Sequence, residues 1–186
     1  MRAARRWRLA LLLTLPAVVA GGCASVSQTM PSCTPGNRLG ILAQAVPSAR
    51  YLPCVGAMPA GWNFGRLDVE DGSATFWFDH DREGLRTAEV ALTATCDTAG
   101  AYEEGPAGDA ERYVRPGSVS PAYAATTYDV FEGGCITYRY SFAKGQNAEH
   151  IALLNQLFDS IELFPRDIVE DEVRQDLGQE LGPAPS

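Results

Sequence analysis

The feature that most constrains the fold is Asp71-Gly72, set between two runs in which apolar and polar residues alternate. An Asp-Gly pair suits the two-residue turn that needs left-handed backbone dihedrals, and a turn of that length fixes the register of the strands on either side. It predicts Glu70 opposite Ser73, Val69 opposite Ala74 and Leu67 opposite Phe76, so that one face of the hairpin is apolar in both strands. The other face then sets Arg66 across from Trp77, a cation–π pair of about 0.5–1 kcal/mol where exposed.

The chain around this hairpin reads as further strands followed by helices. Residues 80–87 form a charged connection into a strand from Glu89 to Cys96, whose Val90, Leu92 and Ala94 alternate with Ala91, Thr93 and Thr95. Residues 97–122, punctuated by Gly100, Gly105, Pro106, Gly108, Pro116, Gly117 and Pro121, are expected to be a long excursion with one helical turn at most. A second hairpin runs from Ala124 to Phe131 and from Cys135 to Phe142. A three-residue loop, Glu132-Gly133-Gly134, is expected there, because it pairs Val130 with Ile136 and Tyr128 with Tyr138, apolar to apolar. Upstream, Leu39 to Val46 allows a short helix before Pro47, Pro53 and Pro59 impose irregular chain. Downstream, Asn147 can cap a helix in which Ile151, Leu154, Phe158 and Ile161 recur at helical spacing with Leu157 alongside, and Pro165 ends it. Arg166 to Leu181 follows as a second helix, with Val169, Val173, Leu177 and Leu181 as a stripe one residue wide among six acidic residues. An ordinary peripheral helix is the preferred reading of that stripe, and loose docking on the domain or on a basic partner is the alternative. The expected class is α+β: an antiparallel sheet of about five strands with C-terminal helices packed on one face and two disulfides.

The first residues specify an address. Arg2, Arg5, Arg6 and Arg8 precede an apolar run from Leu9 to Ala20, and no acidic residue occurs before Asp68. The run has the length of a signal peptide's apolar region and is too short for a bilayer-spanning helix. It ends in Val19-Ala20-Gly21-Gly22-Cys23, which resembles the lipobox of bacterial lipoproteins. The resemblance implies cleavage before Cys23, a diacylglycerol on its sulfur and a mature protein anchored to the extracytoplasmic face of the cell membrane. Arg5-Arg6 is similar to a twin-arginine signal, but Arg8 stands where that pattern takes an apolar residue, so the general secretory route is expected. The domain plan is a signal peptide over 1–22, a small and polar flexible tether over 23–37, a single globular α+β domain over 38–164, and an acidic helix with a loose tail over 165–186.

Without residues 1–22, which hold four of the 15 basic residues and none of the 23 acidic ones, the net charge is −12. That excludes nucleic acid as a natural partner and disfavours anionic lipid surfaces. With Cys23 assigned to lipid, the remaining cysteines are Cys33, Cys54, Cys96 and Cys135, an even set in an oxidising compartment. Four cysteines allow three connectivities. Cys33–Cys54 and Cys96–Cys135 are favoured because each joins sequence neighbours without crossing. No Cys-x-x-Cys occurs, so metal and thioredoxin-type sites lack their spacing.

Pro59-Ala60-Gly61-Trp62 opening the first hairpin, together with the late amphipathic helix from Asn147 to Ile161, resembles in outline the PsbP/Mog1-like fold of some actinobacterial lipoproteins. The resemblance implies helices closing one side of an antiparallel sheet.

Chemistry is sparse in local sequence. Asp79-His80-Asp81-Arg82-Glu83 is the densest polar cluster, yet a three-ligand metal site would need His150 or another carboxylate to converge on it, and a solvated charged turn is the expectation. His150 is expected at the surface or boundary of its helix. There is no Gly-x-Ser-x-Gly, His-Glu-x-x-His or glycine-rich phosphate loop, and neither a cofactor nor a metal is expected. Tyr128, Tyr138 and Tyr140, with Phe131 and Phe142, could line a groove for sugar or lipid, although alternating aromatics in a hairpin favour a core. The resulting expectation is a non-catalytic envelope lipoprotein that binds a protein, glycan or lipid partner, its biochemical activity unspecified. The alternative is an extracytoplasmic, hydrolase-like enzyme whose site is assembled only in three dimensions.

Overall fold

The Asp71-Gly72 turn forms the register its apolar residues require: Glu70 faces Ser73, Val69 faces Ala74 and Leu67 faces Phe76, with Gly72 at φ 85°. The computed structural model describes residues 25–27, 29–34, 39–119, 122–143, 147–178 and 180–181. The signal segment, Cys23, the last five residues and the side chains of Asn147 and Leu177 lie outside the described residues.

In chain order the elements are β1 (Ser25–Ser27), α1 (Leu39–Ala45), β2 (Tyr51–Val55), β3 (Trp62–Glu70), β4 (Ser73–His80), β5 (Gly84–Thr93), β6 (Tyr102–Ala107), β7 (Ala110–Pro116), β8 (Tyr123–Phe131), β9 (Gly134–Phe142), α2 (Asn147–Ser160), β10 (Ile161–Pro165) and α3 (Arg166–Leu177). Eight strands form one antiparallel sheet in the order β1-β3-β4-β5-β9-β8-β7-β6, and β10 pairs with β2 in a separate ladder. The class is α+β and antiparallel, with ten strands among the described residues where about five were expected.

The additional strands have identifiable causes. The excursion over 97–122 contains the hairpin β6–β7: Gly108 turns it at φ 65°, and Gly105 sits at a bulge with φ 121°. Its Pro106 lies on β6, the sheet's edge strand, where proline is tolerated. Pro53 likewise sits in β2, which among the described residues pairs with β10 alone apart from a single bridge from Ser32 to Val55. Ile161, which periodicity assigns to a helix, instead begins β10, because α2 ends one residue earlier at Ser160, whose hydroxyl donates to the Leu157 carbonyl at 2.6 Å. The expected tether is also altered. β1 pairs with β3, Ser25 opposite Val69, and the Pro31 carbonyl accepts from the Val55 N–H at 2.8 Å.

The second hairpin corrects the expected loop. Phe131 faces Gly134 and Val130 faces Cys135, so the turn is the two-residue Glu132-Gly133, and Tyr128 faces Thr137 rather than Tyr138. Gly133 stands at φ 73°, and a Cβ there would lie 1.9 Å from the Ser48 carbonyl oxygen, so only glycine lets this turn dock on the chain before β2. Matching apolar to apolar misleads because both faces of the hairpin are covered near its turn. Asp129 and Thr127 go to the inner face, where Arg112 and the Tyr140 hydroxyl satisfy them.

One face of the large sheet carries the core. Leu67, Phe76, Phe78, Leu92, Ile136 and Phe142 are fully buried on it beneath α1 and α2. α2 turns inward His150, Leu153, Leu154 and Leu157, and leaves Ile151 51% exposed. The apolar stripe is thus displaced by about one residue from the expected one, and His150 is buried rather than superficial. Its ring lies flat on Phe142 at 4.9 Å and near Tyr123 at 5.8 Å. α3 packs on α1 and β10. Val169 is buried, and Arg166, itself buried, donates to the Ala43 carbonyl at 2.6 Å and to Glu170 at 2.6 Å.

Both disulfides are present: Cys33–Cys54 ties the N-terminal segment to β2, and Cys96–Cys135 ties the chain after β5 to the start of β9. They span sequence separations of 21 and 39 residues. On chain entropy alone such closures contribute about 3 and about 4 kcal/mol.

Candidate functional site on the open sheet face

Period-two alternation sends every second residue of β4, β5, β9, β8 and β7 away from the core, and register decides which of them meet. Trp77 faces Glu89, Glu89 faces Arg139, Arg139 faces Thr126, and Thr126 faces Arg115. These five residues form one straight row across five strands on the face opposite the helices. The next row, Thr75, Ala91, Thr137, Tyr128 and Tyr113, lies beside it.

Side-chain bonds hold the first three members of the row together. The Trp77 indole N–H donates to one Glu89 oxygen at 3.0 Å, and Arg139 donates to the other. Trp77 takes two guanidiniums over its ring, Arg66 at 4.7 Å, as the first hairpin's register predicts, and Arg86 at 5.5 Å. Arg66 is also paired with Asp68 at 2.7 Å. Arg86 has φ 54°, and is the one non-glycine residue at positive φ among the described residues. Its backbone N–H donates to Asp79 at 2.7 Å. A non-glycine residue held in this region costs about 1–3 kcal/mol and recurs where a site demands a particular backbone. At the far end Arg115 lies over the Tyr128 ring at 5.1 Å and donates to the Asp97 carbonyl at 2.6 Å.

A groove of about 400 Å³ runs along this row, its lining including Trp77, Arg86, Glu89, Arg115, Thr126 and Arg139. A second hollow of about 320 Å³ adjoins it on the side of Thr137 and the Cys96–Cys135 bridge, and shares Arg115 and Arg139. The groove's lining has three arginines against one carboxylate, in a chain whose net charge is −8.

The residues singled out from sequence fall elsewhere or are divided. Tyr138 and Tyr140 face inward and pack edge-on against Phe158 of α2 at 5.1 and 6.1 Å, whereas Tyr128 lies on the open face beside the groove. Tyr140 borders the groove and Tyr128 the adjoining hollow, but the two-residue turn sets Tyr128 on the face opposite Tyr138 and Tyr140, so the three rings line no common surface. Tyr138 belongs to a closed polar cluster: Asp129 accepts two bonds from Arg112, at 2.6 and 2.7 Å, and the Arg112 guanidinium rests on Phe158 at 4.9 Å. Burial foremost, with the Asp129 charge, holds the Tyr138 hydroxyl well above its ordinary range. Burial also pushes Tyr140 up to about 12, against the opposing hydrogen bond with Thr127.

The Asp79–Glu83 cluster serves as a fastener. His80 turns inward onto Trp62, ring centres 5.0 Å apart, and its Nδ1 accepts from the Arg82 N–H at 3.3 Å. Arg82 pairs with Glu149 of α2 at 2.6 Å, and Glu83 accepts from the Ala143 N–H at 3.0 Å. His150, the only other histidine, is enclosed by its stack on Phe142 and does not join this cluster. Among the described residues no group of three or more metal-binding side chains converges, and no helix is long and apolar enough to cross a membrane. Sequence reasoning missed Arg86, Arg115 and Arg139. The one legible signal was Arg66 opposite Trp77, which marks the edge of this face.

No protein-family model, curated protein or solved structure matches this chain.

Proposed function

We propose that the chain is exported, anchored through lipid on Cys23, and acts outside the cytoplasm as a non-catalytic binding module that presents the open face of its sheet. The observation that carries the binding role is the segregation of layers. Helices and the β2–β10 ladder lie on one face, and the other displays a groove whose side chains are pre-ordered by one another. Small-molecule sites combine such concavity with a few fixed polar groups. Glu89 has both oxygens engaged, which suits holding Arg139 in place better than moving protons.

Two disulfides in so short a chain suit an oxidising compartment. The arginine-rich start and the Val19–Cys23 pattern supply the address. Because β1 begins two residues after Cys23, an anchored sheet edge would lie within about 7 Å of the bilayer surface, with little tether between. The Pro59–Trp62 turn, in which the Trp62 N–H donates to the Pro59 carbonyl at 3.1 Å, opens β3, and α2 packs on the same inner face, its His150 stacked on the Phe142 ring that Trp62 also meets. Both features support the likeness to PsbP/Mog1-like lipoproteins.

Two measurements test the reading. Mass spectrometry of the membrane fraction should find the mature N-terminus at acylated Cys23, and Cys23→Ser should release the protein; an unmodified terminus elsewhere refutes the anchor. A photocrosslinker at Thr126 should capture one partner in intact envelopes while the same group at Gln156, exposed on α2, captures none. Equal capture from both positions refutes the open face as the binding face.

A further inference from the structure

We propose that the groove between Arg115 and Arg139 binds a small organic anion through a carboxylate or phosphate group. The inference rests on the reading of the open face as the binding face, and adds the chemistry of what it takes.

The row geometry makes the case. Arg139 on β9 and Arg115 on β7 are both directly opposite Thr126 on β8, which lies between them. Strand spacing separates the two arginine backbones by about 10 Å, a gap that two long side chains bridge from either side above a hydroxyl. A guanidinium has five N–H donors and no acceptor. Among the described residues Arg139 donates only to Glu89, and Arg115 only to the Asp97 carbonyl. The Arg115 Nε is buried with no acceptor among the described residues, and the ion pair of its Nη2 with the Asp97 carboxylate is a long one, at 4.0 Å. Most donors of both arginines are therefore uncommitted, in a concave site where a planar oxyanion can accept two at once.

Charge and preorganisation agree with this assignment. The lining carries a surplus of two positive charges while the chain as a whole is acidic, so the groove attracts anions locally against the background of the molecule. Glu89 orients Arg139 and is itself oriented by Trp77, so side-chain ordering is largely complete before a ligand arrives. Arg86 is brought to the same wall by its left-handed backbone, and Trp77, covered by Arg66 and Arg86, serves as a rigid partition. A volume of about 400 Å³ lies at the lower end of the ~300–1000 Å³ typical of small-molecule sites.

The test uses the full chain in an uncharged detergent, with the Trp77 indole N–H followed by NMR. Three probes share a hexose-sized ring: glucuronate carries a carboxylate, glucose 6-phosphate a phosphate, and glucose neither. The expected result is a saturable shift with glucuronate, glucose 6-phosphate or both, and none with glucose. Arg115→Gln and Arg139→Gln should each weaken it about tenfold, the scale of one charge-assisted bond. The two anionic arms separate carboxylate from phosphate recognition. Equal shifts with all three probes would overturn the anion assignment and leave the open face as a binding face. Wild-type protein that shows no shift with any probe up to about 10 mM, weaker than a built site should be, would overturn it too. Binding unaffected by either arginine substitution would place the anion elsewhere and also overturn it. The crosslinking comparison of Thr126 with Gln156 decides the binding-face reading independently of these results.

Discussion

Tyr140 shows how position gives a residue its properties. Its ring is enclosed between Phe142 and Phe158, and burial raises its hydroxyl to about 12 although the bond with Thr127 pulls the other way. The unfolded chain loses this proton near pH 10 and the folded chain keeps it longer. Folding therefore favours the neutral form. The contribution is complete below pH 10 and declines as pH rises toward 12, and Tyr138, also raised by burial, acts in the same direction. Urea denaturation on either side of pH 10 should show stability falling with pH, and Tyr140→Phe should flatten that fall; an unchanged slope would contradict the burial of the hydroxyl. Neither tyrosine could be assigned this behaviour from sequence, because alternation marks both as half-buried whichever face is wet.

At the scale of the element, helical period is legible and helical phase is not. The α2 segment repeats apolar residues convincingly, but Ile151 and His150 compete for the inward position. Hydropathy favours isoleucine. The structure seats His150 because a flat ring stacks on Phe142 and beside Tyr123, and the helix rotates to leave Ile151 in solvent. Leu157→Ala should cost about 2–5 kcal/mol as a core deletion, whereas Ile151→Ser should stay within about 0.5 kcal/mol as a surface change. Comparable losses from both in a denaturation series would restore the phase expected from sequence. The β8–β9 turn teaches the same lesson for strands. Its length depended on partners for Asp129 and Thr127 contributed by β7 and β9, and on the Ser48 carbonyl pressed against Gly133.

For the molecule as a whole, the acidic C-terminal helix is part of the structure. Its narrow apolar stripe left a loose contact surface as the alternative to an ordinary peripheral helix, and the packing favours the latter: Val169 is buried, Arg166 reaches the Ala43 carbonyl, and α3 lies against α1 closely enough that a Cβ on Gly40 would sit 3.6 Å from Val173. Truncation after Pro165 should cost about 2 kcal/mol or more, a fall of about 4–8 °C in Tm for a chain of this size, measured by thermal denaturation. An unchanged Tm would return α3 to the role of a docking arm.

Some features needed only neighbours in the chain. The Asp71-Gly72 hairpin, its apolar face and the Arg66–Trp77 pair followed from turn chemistry and a period of two, and the favoured cysteine pairs are those the structure joins. The α+β class followed from strands preceding helices. What tertiary structure alone decided was everything set by partners far along the chain. Proline- and glycine-rich segments became edge strands once a sheet was present to pair with them. Arg115 and Arg139, 24 residues apart in sequence, met across Thr126 only because β8 runs between β7 and β9 in one fixed register. Local sequence encodes period and turn, which depend on steric preferences within a few residues. The groove depends on register between strands, which is set by long-range burial and by the satisfaction of polar groups that no short window contains.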